Sequence, residues 1–349
     1  MSFLRNCWYM AGWADEFVAG QMLPRTLLNE PIVMFRDSLG GLQALHDRCP
    51  HRFVPLHLGV LANDRIQCAY HGLSFDCSGS CVHNPHGNGA IPKAARVRTY
   101  PMHERHGMAW IWMGDAALAD PAMITDYTPM DPQTAYLGKS YLHVKANYVL
   151  ETDNILDLSH IEFLHGSSLG SDAVAQGVIE VEQHGDTVHS RRTTHDEQLT
   201  PELARLRGVP PGQRVDRWLD VRWNAPCNML LNSGHTPSGL GREQGRSVYV
   251  THIFTPHTDA STHYWFAIAF SKELGEEGRR LADENIQWLR QPFTTEDMPM
   301  LEAQQQVIGD QDFWALKPVL LASDGGAVRA RRLLEQMIKQ EQMPPSGLS

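Results

Sequence analysis

Two short loops, Cys49-Pro50-His51 and Cys68-Ala69-Tyr70-His71-Gly72, each carry one cysteine and one histidine, with sixteen residues between them. A chain that brings such loops together folds around a metal centre held from two sides, each side giving one soft thiolate and one imidazole. Structural zinc accepts the same residue types, but its sites favour two cysteines on one knuckle and two histidines or cysteines on the other. Mixed loops instead suit a two-iron, two-sulfur cluster in which two histidines replace two cysteines on one iron. Neutral imidazole in place of thiolate makes the cluster less negative and raises its potential, which suits an acceptor of electrons. Pro50 and Gly72 supply the tight turns such loops need. Cys77, Cys81, His83 and His86 lie outside this pattern, in SFDCSGSCVHNPHGNG, and read as ordinary loop residues.

The chain has 349 residues, enough for two domains and for a core that needs no disulfides. Six cysteines are too few for a secreted disulfide scaffold, so reduced thiols free to hold metal are expected. The net charge of −10 argues against nonspecific nucleic-acid binding, which needs surplus Lys and Arg. No apolar run is long enough to span a membrane and the N-terminus has no secretory pattern. These features together read as a soluble cytoplasmic protein.

Along the chain, PIVMFRD and LQALHD predict a hairpin turning at Gly40-Gly41, and VRTYPMHERHGMAWIWMG another turning near His106-Gly107. Residues 116–135, rich in Pro, Asp and Ala, read as a domain boundary, giving domains of 1–115 and 116–349. Beyond it SYLHVKANYVL alternates like a strand. Residues 151–165 predict a helix capped by Thr152 or Asp153. VIEVEQ and VHSRRT form a hairpin signal around HGDT; DVRWNAPCNMLLNSG, SVYVTHIFTP and STHYWFAIAFS read as strands. Residues 275–306 and 325–342 read as helices, the second with Leu333, Met337 and Ile338 on one stripe. The fold class is α+β: a small all-β module, then an antiparallel sheet with segregated helices.

The helix at 151–165 carries Asn154, Asp157, His160 and His165. Two histidines and a carboxylate on one face of Fe(II) leave positions open for oxygen and substrate. Five residues on an ideal helix turn about 500°, so His160 and His165 would miss each other by about 140°. Both can reach one ion only if the helix bulges or ends between them; Gly166 fits an ending helix. The third ligand must be a carboxylate from elsewhere, and spacing alone does not choose among forty acidic residues.

CPH and CAYHG resemble the Rieske motif in the oxygenase component of Rieske non-haem iron oxygenases, and NILDLSHIEFLH resembles that family's mononuclear-iron signature. The likeness runs along nearly the whole chain, through FLRNCWYMAGW, RTLLNEPIVMFRD and HNPHGNGAIP, to the vanillate O-demethylase, dicamba monooxygenase and toluenesulfonate methyl-monooxygenase types. It implies a 2Fe–2S cluster on Cys49, His51, Cys68 and His71, and an iron on His160 and His165. It implies Asp297, in FTTEDMPMLEAQQQ, as the carboxylate, with Glu296 and Glu302 as competitors. It gives Asn154 a supporting or weak-ligand role. It implies that Asp157 hydrogen-bonds His160 and, in a head-to-tail homotrimer, links it to His71 of the next subunit. Asn232, His252 and Trp288 match pocket positions that would hold a carboxylated aromatic ring. The implied fold is a Rieske domain followed by a helix-grip catalytic domain. The implied activity is O2-dependent oxidative O-demethylation of a methoxylated aromatic acid with release of formaldehyde. Its alternatives are hydroxylation of an aryl methyl or ring carbon, or service as an electron carrier alone. The chain has no dinucleotide fingerprint, so electrons from NAD(P)H would come through a separate flavin or iron–sulfur reductase or a ferredoxin.

Overall fold

The computed structural model describes residues 3–171 and 173–343. They divide into two compact units, one ending at Ile124 and one beginning at Thr125.

The first unit is all-β. Strands β1 (Trp8–Trp13), β2 (Met22–Leu27), β3 (Glu30–Arg36) and β4 (Leu42–His46) are followed by the short β5 (Val60–Ala62), β6 (Arg65–Gln67), β7 (Ser74–Asp76) and β8 (Cys81–His83), then β9 (Met102–Arg105) and β10 (Met108–Trp112). They form three antiparallel sheets, ordered β1-β10-β9, β2-β3-β4 and β5-β6-β7-β8. Both hairpins expected from the sequence are present, β3–β4 and β9–β10. At the second turn His106 and Gly107 both adopt positive φ, 56° and 71°, which the two-residue connection requires. Val33, Phe35, Leu45, Leu56, Ile66 and Phe75 pack into one cluster that includes Cys49 and Cys68.

The second unit holds a seven-stranded antiparallel sheet ordered β11-β17-β16-β15-β14-β13-β12. Its strands are β11 (Ala135–Val144), β12 (Val178–His184), β13 (Thr187–Glu197), β14 (Val215–Asn224), β15 (Asn228–Pro237), β16 (Arg246–Thr258) and β17 (Ser261–Ser271). Six strands run as a meander, and β11 closes the far side by pairing with β17. The helices are α1 (Tyr148–Leu156), α2 (Ile161–Leu164), α3 (Pro201–Arg207), α4 (Glu276–Pro292), α5 (Met298–Ile308) and α6 (Gly325–Gln342). In α4 the buried positions Gly278, Ala282, Asn285, Ile286 and Leu289 make one stripe at helical spacing, apolar but for Asn285, whose amide donates to the Leu281 carbonyl. The stripe lies on β11 and β17. Gly138 permits the approach: a Cβ there would stand 2.2 Å from the Ala282 carbonyl oxygen. None of the helices among the described residues is long and apolar enough to cross a membrane.

Three expectations about the second unit are corrected. The strand expected through residue 150 stops at Val144, because Asn147 caps a helix by accepting from the Val149 amide at 2.9 Å. Thr152 and Asp153 are therefore interior to α1, where the Thr152 hydroxyl donates to the Tyr148 carbonyl and Asp153 pairs with Arg331. DVRWNAPCNMLLNSG is two strands, β14 and β15, joined by a turn at residues 225–227. The helix expected over 275–306 is interrupted by a five-residue π-helical turn, Phe293–Asp297, directly after Pro292. Proline has no N–H to continue the ladder, so the hydrogen-bond register changes there.

Candidate metal centres and the cavity beside them

In the first unit the two Cys/His loops are built alike. The Cys49 amide donates to the Val54 carbonyl and the Phe53 amide to the Cys49 carbonyl, both at 2.9 Å. The Cys68 amide donates to the Leu73 carbonyl at 2.8 Å and the Gly72 amide to the Cys68 carbonyl at 3.0 Å. In each loop the residue four after the cysteine sits at positive φ, Phe53 at 63° and Gly72 at 72°. The loops thus repeat one backbone shape, which presents one thiol and one imidazole from each side. The thiols of Cys49 and Cys68 are buried, whereas His51 is exposed and His71 half-buried. The two imidazole rings lie 4.5 Å apart. Burial, and behind it the neighbouring Cys68 thiol, pushes the Cys49 thiol up. Bound iron would reverse that and hold the sulfur as thiolate. Buried sulfurs beneath outward imidazoles fit the donor set of a Rieske cluster, which Cys49, Cys68, His51 and His71 would hold.

Of the remaining residues in that region, Cys77 and Cys81 are free thiols whose Sγ atoms face the carbonyls of Asp64 and His83. His86 Nε2 lies 2.8 Å from the His71 carbonyl, so it steadies one loop from outside the four-residue set. His57 is paired with Asp47 beside the first loop.

In the second unit, α1 ends at Asp157, whose carboxylate caps a 3₁₀ turn, Leu158–His160, by accepting from the Ser159 amide at 3.0 Å. A single turn of α2 follows, and the helix ends at His165. This broken path brings the His160 and His165 rings to 5.2 Å, which an unbroken helix would not. The π-helical turn supplies Asp297. Its Oδ2 is 3.0 Å from His165 Nε2 and its Oδ1 is 3.6 Å from His160 Nε2. One donor atom from each of the three residues lies within 4.8 Å of the others. The triad fits a mononuclear iron by its donor set and by this convergence.

Hydrogen bonds orient all three groups. His165 Nδ1 donates to Glu296 at 2.5 Å, and His160 Nδ1 donates to the Asp157 backbone carbonyl at 2.8 Å. Both rings thereby turn Nε2 inward. Asn154 Nδ2 donates to Asp297 Oδ1 at 3.1 Å. Burial opposes a charge on either histidine. Asp297 and Glu296 outweigh it at His165 and push its pKa up, whereas burial prevails at His160 and holds its pKa down. Of the two competitors for the carboxylate, Glu296 sits behind His165 and Glu302 accepts from the Lys145 amide.

A cavity opens from the triad along β14, β15 and β16, with about 570 Å³ of empty space including its mouth. His252 lies on its wall, with Nδ1 2.7 Å from the Tyr264 hydroxyl and Nε2 buried without a hydrogen bond among the described residues. Burial depresses the His252 pKa to about 3, so the ring is neutral at physiological pH.

The other two pocket expectations are corrected. Leu231 and Ser233 line the cavity, so strand alternation turns Asn232 to the opposite face, opposite Asp220 and Tyr249. Trp288 is not on the cavity wall but packs against the cluster of Leu199, Leu203, Val209 and Val215. Only Leu203 of that cluster lines the cavity.

Asp157 does hydrogen-bond His160, but through its backbone carbonyl, while its carboxylate accepts from buried Arg192 at 3.1 Å.

Glu296, Arg192 and Ser233 have positions at the site that spacing did not assign. The adjacency of Glu296 to Asp297 was the one available signal for the first.

Comparison with known proteins adds the family. Residues 144–340 match the vanillate O-demethylase oxygenase C-terminal domain, and residues 7–101 match the Rieske [2Fe-2S] domain. The chain is 38% identical to the oxygenase component of dicamba O-demethylase from Stenotrophomonas maltophilia, over 98% of this chain and 99% of that one. It is 36% identical to the iron–sulfur subunit of the toluene-4-sulfonate monooxygenase system from Comamonas testosteroni, over 97% and 98%. The crystal structure of dicamba monooxygenase bound to 3,6-dichlorosalicylic acid superposes with a TM-score of 0.89 at 35% identity, covering 99% of this chain and all of that one. The chain belongs to the Rieske non-haem iron oxygenases, as an oxygenase component.

Proposed function

We propose that this terminal oxygenase carries out oxidative O-demethylation of a methoxylated aromatic acid, in the breakdown of aromatic compounds. The methoxy carbon is hydroxylated with one atom of O2, the other leaving as water after two electrons and two protons enter. The hemiacetal then collapses to a phenol and formaldehyde. The observation that carries the reading is the convergence of His160, His165 and Asp297 at the head of a cavity whose walls are mostly apolar. The likeness to a dicamba O-demethylase and to vanillate O-demethylase domains supports the choice of methyl group.

In this reading Cys49, His51, Cys68 and His71 hold the 2Fe–2S cluster, and His160, His165 and Asp297 hold the iron. When bound, the two groups supply electron transfer and oxygen activation. The chain's own residues do the positioning. Glu296 and the Asp157 carbonyl fix the imidazole tautomers, Asn154 holds the carboxylate, and the apolar wall excludes water and places the C–H bond. His252 offers Nε2 to the substrate. Asp157 also couples the centres across subunits of a head-to-tail trimer. Electrons arrive from NAD(P)H through a separate reductase or ferredoxin. A cytoplasmic setting is supported by the sparse use of cysteine, six in 349 residues.

The toluenesulfonate relative favours a second reading, hydroxylation of an aryl methyl to a benzylic alcohol. A panel of methoxybenzoates and methylbenzoates with a reconstituted reductase separates the two. One formaldehyde per O2 from a methoxylated acid supports demethylation. Turnover of the panel with no formaldehyde overturns it.

A further inference from the structure

The cavity wall is set by strand pairing. Opposed residues on β14, β15 and β16 share a face, and two rows of that face matter. Met229 pairs with His252 at the triad end, and Arg217, His235 and Arg246 form a row six residues further along β16. Of that row Arg217 lines the cavity, together with the triad. Into the cavity from α3 comes Arg207.

The charges at this second end do not cancel. Arg217 is neutralised: Nη1 is 3.0 Å from the carboxylate of Glu197, which is wholly buried. His235 is held neutral, its pKa lowered to about 4 by burial and by the fields of Arg207, Arg217 and Arg246. Arg207 keeps its charge; burial and Arg217 lower its pKa only to about 10. The residue is half-buried, yet its Nη1 is sealed from solvent and makes no hydrogen bond among the described residues. An enclosed guanidinium without a counter-ion is costly. The cost is offset when a ligand brings the opposite charge. Between the triad and Arg207 the wall is apolar, with Leu203, Leu219, Leu231, Val250, Leu289 and Phe293.

We infer that Arg207 is the anion anchor of this cavity, holding the carboxylate or sulfonate of an aromatic substrate whose reacting methyl group points at the triad. The inference rests on the proposed methyl oxidation and deepens it: it names the charge the substrate carries and the side chain that reads it. Guanidinium suits either anion, because both offer two oxygens to its paired N–H groups.

The test is calorimetric titration of the oxygen-free, iron-loaded enzyme with 4-methoxybenzoate, 4-methoxybenzenesulfonate and neutral 4-methoxybenzamide. The wild-type protein is expected to bind at least one anion tenfold or more tighter than the amide, and the two anions show which acid it takes. Arg207→Met is expected to lose tenfold or more for the anion with the amide within about twofold. Arg207→Lys is expected to lie between. Equal binding of anion and amide by the wild type, no binding of either anion, or an Arg207→Met protein within twofold of wild type overturns the assignment. Should Arg207→Met fail to fold, Arg207→Gln and the wild-type preference still decide. Oxygen is absent, so binding is read apart from turnover. An Arg207-dependent anion preference without formaldehyde in air would leave the anchor standing and remove the demethylation.

Discussion

His165 Nδ1 lies 2.5 Å from the carboxylate of Glu296, while Nε2 of the same ring faces Asp297 at 3.0 Å. Two adjacent carboxylates in one π-helical turn thus act on opposite sides of one imidazole. The outer one fixes the tautomer, and the inner one shares its Nε2 with the metal position. Such outer partners commonly contribute about 10–100-fold in metal affinity or activity. Glu296→Gln is therefore expected to lose mononuclear iron about tenfold faster on dialysis against a chelator, with the visible absorption of the cluster unchanged. Equal retention of iron would show that Glu296 does not orient the ligand.

The two metal centres draw on different loops of different units, so they should fail separately. His160→Ala and Asp297→Asn are expected to lower iron from about three to about two per chain. Both should keep the Rieske signal in the electron paramagnetic resonance spectrum after dithionite, and neither should turn over substrate. Cys68→Ser should remove that signal instead. Turnover by His160→Ala would mean the triad is not the reacting centre.

Asp157 is the branch point between folding and coupling. Its carboxylate caps the turn carrying His160 and accepts from buried Arg192. Asp157→Asn should cost about 1.5–3 kcal/mol in urea unfolding, the usual contribution of a hydrogen bond to a charged group. Arg192→Met should cost a similar amount. If Asp157 also couples cluster to iron, Asp157→Asn alone slows reoxidation of the reduced cluster at least tenfold in stopped flow, with iron content intact. Equal rates in the two variants would limit Asp157 to a structural part.

The metal loops were legible from sequence because each is local: six residues from Cys49 to Val54 and six from Cys68 to Leu73 close on their own hydrogen bonds. The His160–His165 pair was legible as a geometric problem, since its spacing demands a break, and the break is present: the 3₁₀ turn gives way to α2 after His160 and the helix ends at His165. What spacing did not show was which groups orient the imidazoles. The Asp157 carbonyl, rather than its carboxylate, meets His160, and backbone atoms leave no mark in a sequence. The π-helical turn was equally hidden, because hydrophobic periodicity does not register one residue inserted after Pro292. Asn232 shows how sharply strand parity acts. A one-residue shift exchanges it for Ser233 and moves the side chain from one face of the sheet to the other. Arg207 sits at the end of a seven-residue helix, and only the packing of α3 on the sheet makes it part of the cavity.

His252 offers a test by pH. Burial lowers its pKa from the ordinary 6.5 to about 3, so the folded protein keeps it neutral where the unfolded chain protonates it. Below about pH 6.5 the unfolded state binds one more proton at this position, and stability falls as pH falls, until the folded ring itself titrates near 3. One proton corresponds to about 1.4 kcal/mol per pH unit. His252→Phe removes the titrating group while keeping a ring of similar bulk beside Phe293. Unfolding by urea at several pH values between 6 and 4 should show the wild type losing about 1.4 kcal/mol per unit more than the variant. Parallel curves for the two proteins would mean that His252 is reached by water in the folded state, and that its Nε2 is not held dry for a substrate.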